Sequence, residues 1–259
     1  LLTEIRVRYG HDFSTYSRAS LRRRILYFLK REGTTAAALT AQVCVDHGRF
    51  EALLKDILIA TTEMFRDPDF YRTLRKDVVP WLRTFPTPAI WSAGCATGEE
   101  VWSLAILLHE EGILHRCRIY ATDLMPAYIK AARAGVFRAE QMQGYSSAYL
   151  KAGGAGSLAD YYETAYGRAV MRPSLCEGVV WARHSLVTDG SFCEAQLILC
   201  RNVMIYFQSS LRARAVGVFA DSLCRDGYLA LGQAESLRFT EGSDRFSTDR
   251  QHRYFYRRV

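Results

Sequence analysis

The sequence predicts an α/β protein, a parallel sheet wrapped by helices, with an all-helical segment ahead of it. Three observations carry this. As far as about Arg83 the apolar residues recur at helical spacing. From Ala89 onward, short β-rich runs alternate with helical ones, which is the pattern of parallel strands joined by helical crossovers. The chain has 259 residues, 49% of them apolar and 24% charged, a balance that buries a core and suits one large domain with a smaller appendage.

The first helix with a distinct character spans 20–32. Leu21, Ile25, Phe28 and Leu29 recur at helical spacing, and Arg18, Arg22, Arg23, Arg24, Lys30 and Arg31 occupy much of the remaining surface. Residues 1–32 hold eight Arg and Lys against three Asp and Glu, which is five of the net charge of +7. Such an arginine face is either a solvated surface or a docking surface for an acidic partner, nucleic acid or a carboxylate-rich protein. Helical patterns follow at 34–45 and 49–60, and a longer one runs from Asp67-Pro68 towards Arg83. Pro86 and Pro88 then punctuate the chain.

Strands are expected at 89–93, 118–122, 179–184, 196–200 and 228–232, with helices near 98–110, 125–134 and 209–225. Residues 245–259, with Tyr254-Phe255-Tyr256, have the character of terminal strands of the same sheet. The alternation fails between Phe137 and Glu177, which hold Gly153-Gly154-Ala155-Gly156 and the tyrosines 161, 162 and 166. This is an insertion, either a functional element or a surface loop.

Composition narrows the function classes. No apolar run approaches the ~20 residues of a membrane span. Seven scattered cysteines with no C-x-x-C pair suggest neither a disulfide framework nor a zinc site, and are expected to be reduced and mostly buried. With no signal-peptide succession at the start, a cytoplasmic protein is expected.

The chemistry belongs at the carboxyl ends of the central strands. There the first strand runs into Ala93-Gly94-Cys95-Ala96-Thr97-Gly98-Glu99-Glu100, small residues that let a nucleoside approach the backbone. Glu99 and Glu100 stand at the helix N-terminus, where a pyrophosphate would otherwise bind. Two carboxylates repel a pyrophosphate but hold a cation, although they also complement the helix dipole. Asp123 follows the second strand, where an acid is either a helix cap or the acceptor of two ribose hydroxyls. Together the three acids favour an adenosyl cation over a dinucleotide.

Four motifs in order, Thr61-Thr62-Glu63-Met64-Phe65-Arg66-Asp67, residues 91–100, Ala121-Thr122-Asp123 and Cys200-Arg201-Asn202-Val203-Met204-Ile205-Tyr206-Phe207, resemble those of the CheR family of chemotaxis receptor glutamate methyltransferases. The resemblance extends to Asp12-Phe13-Ser14 and the arginine-rich helix. It implies a small all-α N-terminal domain with a linker helix (1–84) and a Rossmann-like S-adenosylmethionine-dependent methyltransferase domain (85–259) carrying a small inserted β-subdomain at about 137–178.

The resemblance also implies roles. Thr62 and Arg66 would lie at the methionine end of the cofactor, Arg66 on its carboxylate. Glu99 or Glu100 would meet the amino group, with Gly94 beneath, and Asp123 the ribose. Ser185-Leu186 would lie near the adenine, the serine departing from the family's usual asparagine, and Ala60 departs likewise ahead of the Thr motif. Arg201, Asn202 and Tyr206 would face the cofactor and the acceptor, Arg201 or Tyr206 steering the reacting carboxylate. No metal cluster and no histidine near any motif is expected. The implied reaction turns glutamates on the cytoplasmic signalling domain of a chemoreceptor into methyl esters, releasing S-adenosylhomocysteine. Arg18, Arg22, Arg23 and Arg24 would dock the receptor, and a monomer without nucleic acid or membrane insertion is expected. The alternatives are a methyltransferase for RNA or a small acid, and a catalytically silent cofactor-binding module.

Overall fold

The computed structural model describes residues 1–58, 61–248 and 253–259. Ala60, the last residues of the helix expected over 49–60, and part of the stretch 245–259 lie outside them.

Four helices open the chain: α1 (Leu2–Tyr9), α2 (Arg18–Glu32), α3 (Ala36–Val45) and α4 (His47–Ile57). Local chemistry sets their limits. Ser17, Thr35 and Asp46 cap the starts of α2, α3 and α4, each side chain accepting from a backbone amide of the first turn. Gly33, at φ 59°, closes α2. No periodicity announced α1, because Ile5 is its one buried residue.

After residues 61–67 the chain continues as α5 (Pro68–Thr73), a π-helical turn (Leu74–Val78) and α6 (Val79–Leu82). Pro80 has no N–H and its ring crowds the preceding turn, so the helix widens ahead of it, Val79 N donating to Leu74 O.

The main sheet has seven strands: β1 (Ala89–Ala93), β2 (Arg118–Asp123), β6 (Val179–Arg183), β7 (Ala195–Cys200), β8 (Leu223–Leu231), β9 (Phe246–Thr248) and β10 (Phe255–Arg258). Their order is β6-β2-β1-β7-β8-β10-β9; the pairs from β6 to β8 are parallel, and β10 and β9 run antiparallel. The chain winds from β1 out to β6, then crosses back to β7, which places a topological switch point between β1 and β7. Crossovers include α7 (Glu99–Glu110), α8 (Pro126–Ala134) and α10 (Ser209–Ser222).

This is the expected α/β class, a Rossmann-like sheet preceded by an all-helical segment. The expected small inserted β-subdomain is present as well, as a three-stranded antiparallel sheet, β3 (Val136–Arg138), β5 (Arg168–Met171) and β4 (Tyr162–Ala165), with α9 (Met142–Lys151) beside it. One boundary needs correction. The helix expected to reach residue 225 stops at Ser222, because Leu223 pairs with Ala195 and a bulge at Asp226-Gly227 then resets the register so that Tyr228 pairs with Leu197.

The core lies on both faces of the sheet. Ile90, Leu197, Leu199 and Ala230 pack against α5 to α7 and the insertion. Their neighbours in the pleat, Trp91, Ile198, Leu229 and Leu231, pack against α1 to α4 and α10. The helices read as one run before Ala89 are thus divided between opposite sides. Of the seven free cysteines only Cys95, Cys176 and Cys200 are buried, fewer than expected.

Candidate active site

A cavity opens at the carboxyl ends of β1, β2, β6 and β7, on the switch point. Gly94, Cys95 and Ala96 form its floor. The amides of Gly94 and Cys95 both donate to Thr122 O, at 2.8 and 2.9 Å. Gly94 sits at φ 80°, and a Cβ there would meet Val203 Cγ2 at 2.6 Å, so glycine is required both by conformation and by space.

Asp123 ends β2. Its Oδ2 accepts from Ala96 N and its Oδ1 from Met125 N, each at 2.9 Å, which ties the floor loop to the strand end. Burial raises its carboxyl above the usual range, and the backbone amides pull it partly back.

Glu100 and Glu99 are successive on a helix and therefore point about 100° apart. Glu100 lines the cavity, with Oε1 accepting from Ser92 Oγ at 2.9 Å and Oε2 3.3 Å from Arg201 Nη1. Glu99, the other candidate, is not among the lining residues; its carboxylate is buried and accepts from Thr97 Oγ1 at 2.7 Å.

Residues 61–67 pass over one side. Met64 and Phe65 are fully buried, Phe65 N donating to Ser103 Oγ at 2.9 Å, and this pins Thr62 and Arg66 at the cavity wall. The Arg66 guanidinium donates to Thr61 O at 3.0 Å. Phe65 and Asp67 both hold positive φ, so the segment is bent tightly around its two anchors.

Arg201 follows β7 on the cavity wall, but its guanidinium is turned into the protein. The side chain is 2% exposed and Nη2 donates to Asp67 Oδ2 at 2.8 Å and to Arg66 O at 2.9 Å, beside the Nη1 contact with Glu100. It also lies 4.0 Å over the Phe70 ring. The expectation that Arg201 steers an acceptor carboxylate is corrected on this ground: both terminal nitrogens are already engaged with the residues they position. Asn202, at φ 62°, and Tyr206 line the cavity as expected.

Ser185 and Leu186 line the far wall. Ser185 Oγ accepts from Val187 N and Thr188 N, each at 3.3 Å, and so is spent on its own turn. His184, beside it, corrects the expectation of no histidine near a motif: it lines the cavity, with Nε2 3.0 Å from Gly190 O and a buried Nδ1 that has no partner among the described residues.

Neither Glu235 nor Tyr16 is marked by a local pattern in the sequence. Glu235 holds the turn after β7 from behind, accepting from the amides of Asn202, Ile205 and Gly232. Tyr16 enters the cavity wall from the N-terminal helices. Its signal is legible only in space, 45 or more residues ahead of the first motif.

Outside the cavity, Arg18, Arg22 and Arg23 of α2 are exposed and have no ion pair among the described residues. Arg24, grouped with them, is half-buried, and its Nε is buried without a partner. No helix among the described residues is long and apolar enough to cross a membrane.

Known proteins are similar over most of this architecture. The family described as "CheR methyltransferase, SAM binding domain" matches residues 60–255. "Putative methyltransferase Cher3" of Pseudomonas putida KT2440 is 48% identical over 247 residues, covering 95% of this chain and 90% of that protein. "Chemotaxis protein methyltransferase" of Listeria innocua is 32% identical, covering 88% of this chain and 85% of the relative. An uncharacterized 104.1 kDa protein of Rhodobacter capsulatus is 32% identical over 200 residues, 74% of this chain but 20% of that protein.

Proposed function

The chain belongs to the CheR methyltransferase family, and from that premise we propose that it methylates glutamate side chains on the cytoplasmic signalling domain of a chemoreceptor, giving glutamyl methyl esters. The cofactor is S-adenosylmethionine. One observation supports this reading above the others: Glu100 and Asp123 set carboxylates in the wall of the cavity at the switch point, with Glu63 on the segment that passes over them, where a dinucleotide site would present bare helix amides. That wall suits a ligand with a cationic end and a ribose.

When bound, S-adenosylmethionine supplies an electrophilic methyl group on a sulfonium. The residues present fit it. Glu100, aimed by Ser92 and Arg201, meets the ammonium. Asp123 keeps lone pairs for the ribose hydroxyls after accepting its two amides. Arg66 has Nη1 on Thr61 O and keeps its other guanidinium N–H groups for the carboxylate. Leu124, Leu186 and Val187 give an apolar wall for the base. Arg201 is a positioning residue, and Tyr206 carries the hydroxyl that meets the acceptor.

A glutamate acceptor has a pKa near ~4.3 and is already ionised at neutral pH, so no general base has to activate it. What the protein contributes is orientation and exclusion of water, and orientation alone supplies as much as ~7–11 kcal/mol. The exposed arginines of α2 supply a docking face for the acidic helices that carry such glutamates.

The test is transfer of a radiolabelled methyl group to a purified receptor signalling fragment, followed by alkali. Label that is released as methanol and disappears when the fragment's glutamates are replaced supports the reading. Label that survives alkali, or appears on RNA instead, removes it.

A further inference from the structure

The family match begins at residue 60, yet the cavity wall includes Tyr16, which lies well ahead of it. Three hydrogen bonds hold Tyr16 and its neighbours to the turn after β7. Ser17 N donates to Tyr206 O at 2.8 Å, Gln208 N to Thr15 O at 2.9 Å, and Gln208 Nε2 to Tyr16 O at 2.8 Å. The Tyr16 ring stands edge-on to Phe13 and Phe207, with centroids 5.1 and 5.3 Å away. The side chain is thereby locked, and it is 7% exposed.

Its hydroxyl, however, has no hydrogen-bond partner among the described residues. The ring is buried, but the oxygen is not among the enclosed unpartnered atoms, so the hydroxyl opens onto the cavity that Tyr16 lines. Burial, and after it the Asp123 carboxylate across the cavity, push the phenol above its ordinary value, so at neutral pH it carries its proton and acts as a donor. A rigid ring thus presents a donor to the cavity that Asp123, the acid expected to take the ribose, also lines.

We propose that Tyr16 is a cofactor-binding residue whose hydroxyl bonds the ribose of the bound adenosyl group beside Asp123, so that the N-terminal helices complete the cofactor site. The proposal rests on the reading that this cavity holds S-adenosylmethionine. It also gives the strap at Ser17 a purpose, because that residue caps α2 and follows Tyr16 directly. The arginine face and the ribose contact are then parts of one rigid joint.

Calorimetric titration of the full chain with S-adenosylhomocysteine, using wild type, Tyr16→Phe and Asp123→Ala, tests it. Phenylalanine keeps the ring packing, so the fold is retained, and loss of one hydrogen bond weakens binding by about 3- to 10-fold. Repeating the titrations with the 2′,3′-dideoxyribose analogue locates the contact, since wild type and Tyr16→Phe should then agree within about twofold. Equal affinity of wild type and Tyr16→Phe for S-adenosylhomocysteine, with Asp123→Ala weakened, overturns the proposal and leaves the cavity reading standing. An equal loss on both ligands overturns the ribose contact. Asp123→Ala binding like wild type removes the cavity reading and this proposal with it.

Discussion

Asn202 N lies 2.7 Å from Oε2 of Glu235, and the same carboxylate accepts from Gly232 N at 2.8 Å and Ile205 N at 3.2 Å. Among the described residues Glu235 has no ion pair, so backbone amides alone hold this half-buried acid. The turn carrying Asn202, Val203 and Tyr206 into the cavity is fixed from behind by one side chain. A glutamine there must set an NH2 group against one of these amides. Glu235→Gln is expected to lower stability by about 1–3 kcal/mol, the cost of a buried donor left unmet. Urea denaturation measures it, and an unchanged midpoint would show that the turn holds itself.

Arg201 joins Asp67, the backbone of Arg66 and Glu100 in one buried network. Removing it strands two carboxylates. Arg201→Met is expected to cost about 3–5 kcal/mol, the usual penalty for breaking a buried pair on one side. Arg201→Lys recovers part of the stability but not the forked contact. Denaturation curves of both variants check this order.

Asp123 is expected to set the pH dependence of cofactor affinity. Burial raises its folded, ligand-free pKa above 3.8. The ionised form is the one that accepts ribose hydroxyls, so below that raised value a proton must leave before the ligand binds. Affinity for S-adenosylhomocysteine is therefore full above the raised value and falls towards tenfold per unit beneath it. Asp123→Asn should bind more weakly and without that slope. Titrations from pH 7 downwards compare the two.

Arg22 and Arg23 lie on α2, whereas the cofactor contacts are made in the cavity. Arg22→Glu with Arg23→Glu is expected to reduce methylation of a receptor fragment by tenfold or more at low salt, with the difference shrinking as salt is added. Binding of S-adenosylhomocysteine should stay at the wild-type value. Normal methylation by this variant would exclude α2 as the docking face.

With Arg201 engaged elsewhere, steering of the acceptor is proposed for Tyr206, one of the polar residues that line the cavity. Tyr206→Phe is expected to lower turnover at saturating substrates by about 3- to 10-fold, one hydrogen bond's worth. Single-turnover methyl transfer reads it directly. Unchanged turnover would assign the hydroxyl no part in the reaction.

Much of the fold was readable because burial on both sheet faces leaves plain apolar runs. The strand expected at 89–93 is β1 to the residue, and four of its five positions are buried. Leu223 was misplaced because residues 223–225 prolong the spacing of α10, and only the positive φ of Asp226 marks the break. The floor glycines and Asp123 were readable for another reason: strand ends constrain composition locally. Which of Glu99 and Glu100 faces the cavity was not, since helical rotation and not spacing decides it. Glu235 and Tyr16 act through partners distant in sequence, and nothing local betrays such a pairing.

The strap between Tyr16 and Gln208 spans 192 residues. During synthesis α1 to α4 emerge well before the surface they seat on, which is made of β7, β8 and α10. Until then Phe13, Phe28 and Phe50 can be covered only from within the helical segment, and the loop to be closed is long. Joining α1 to α4 to β7 and β8 is therefore a late event in folding. A nascent chain halted before residue 208 would carry its basic helix unanchored.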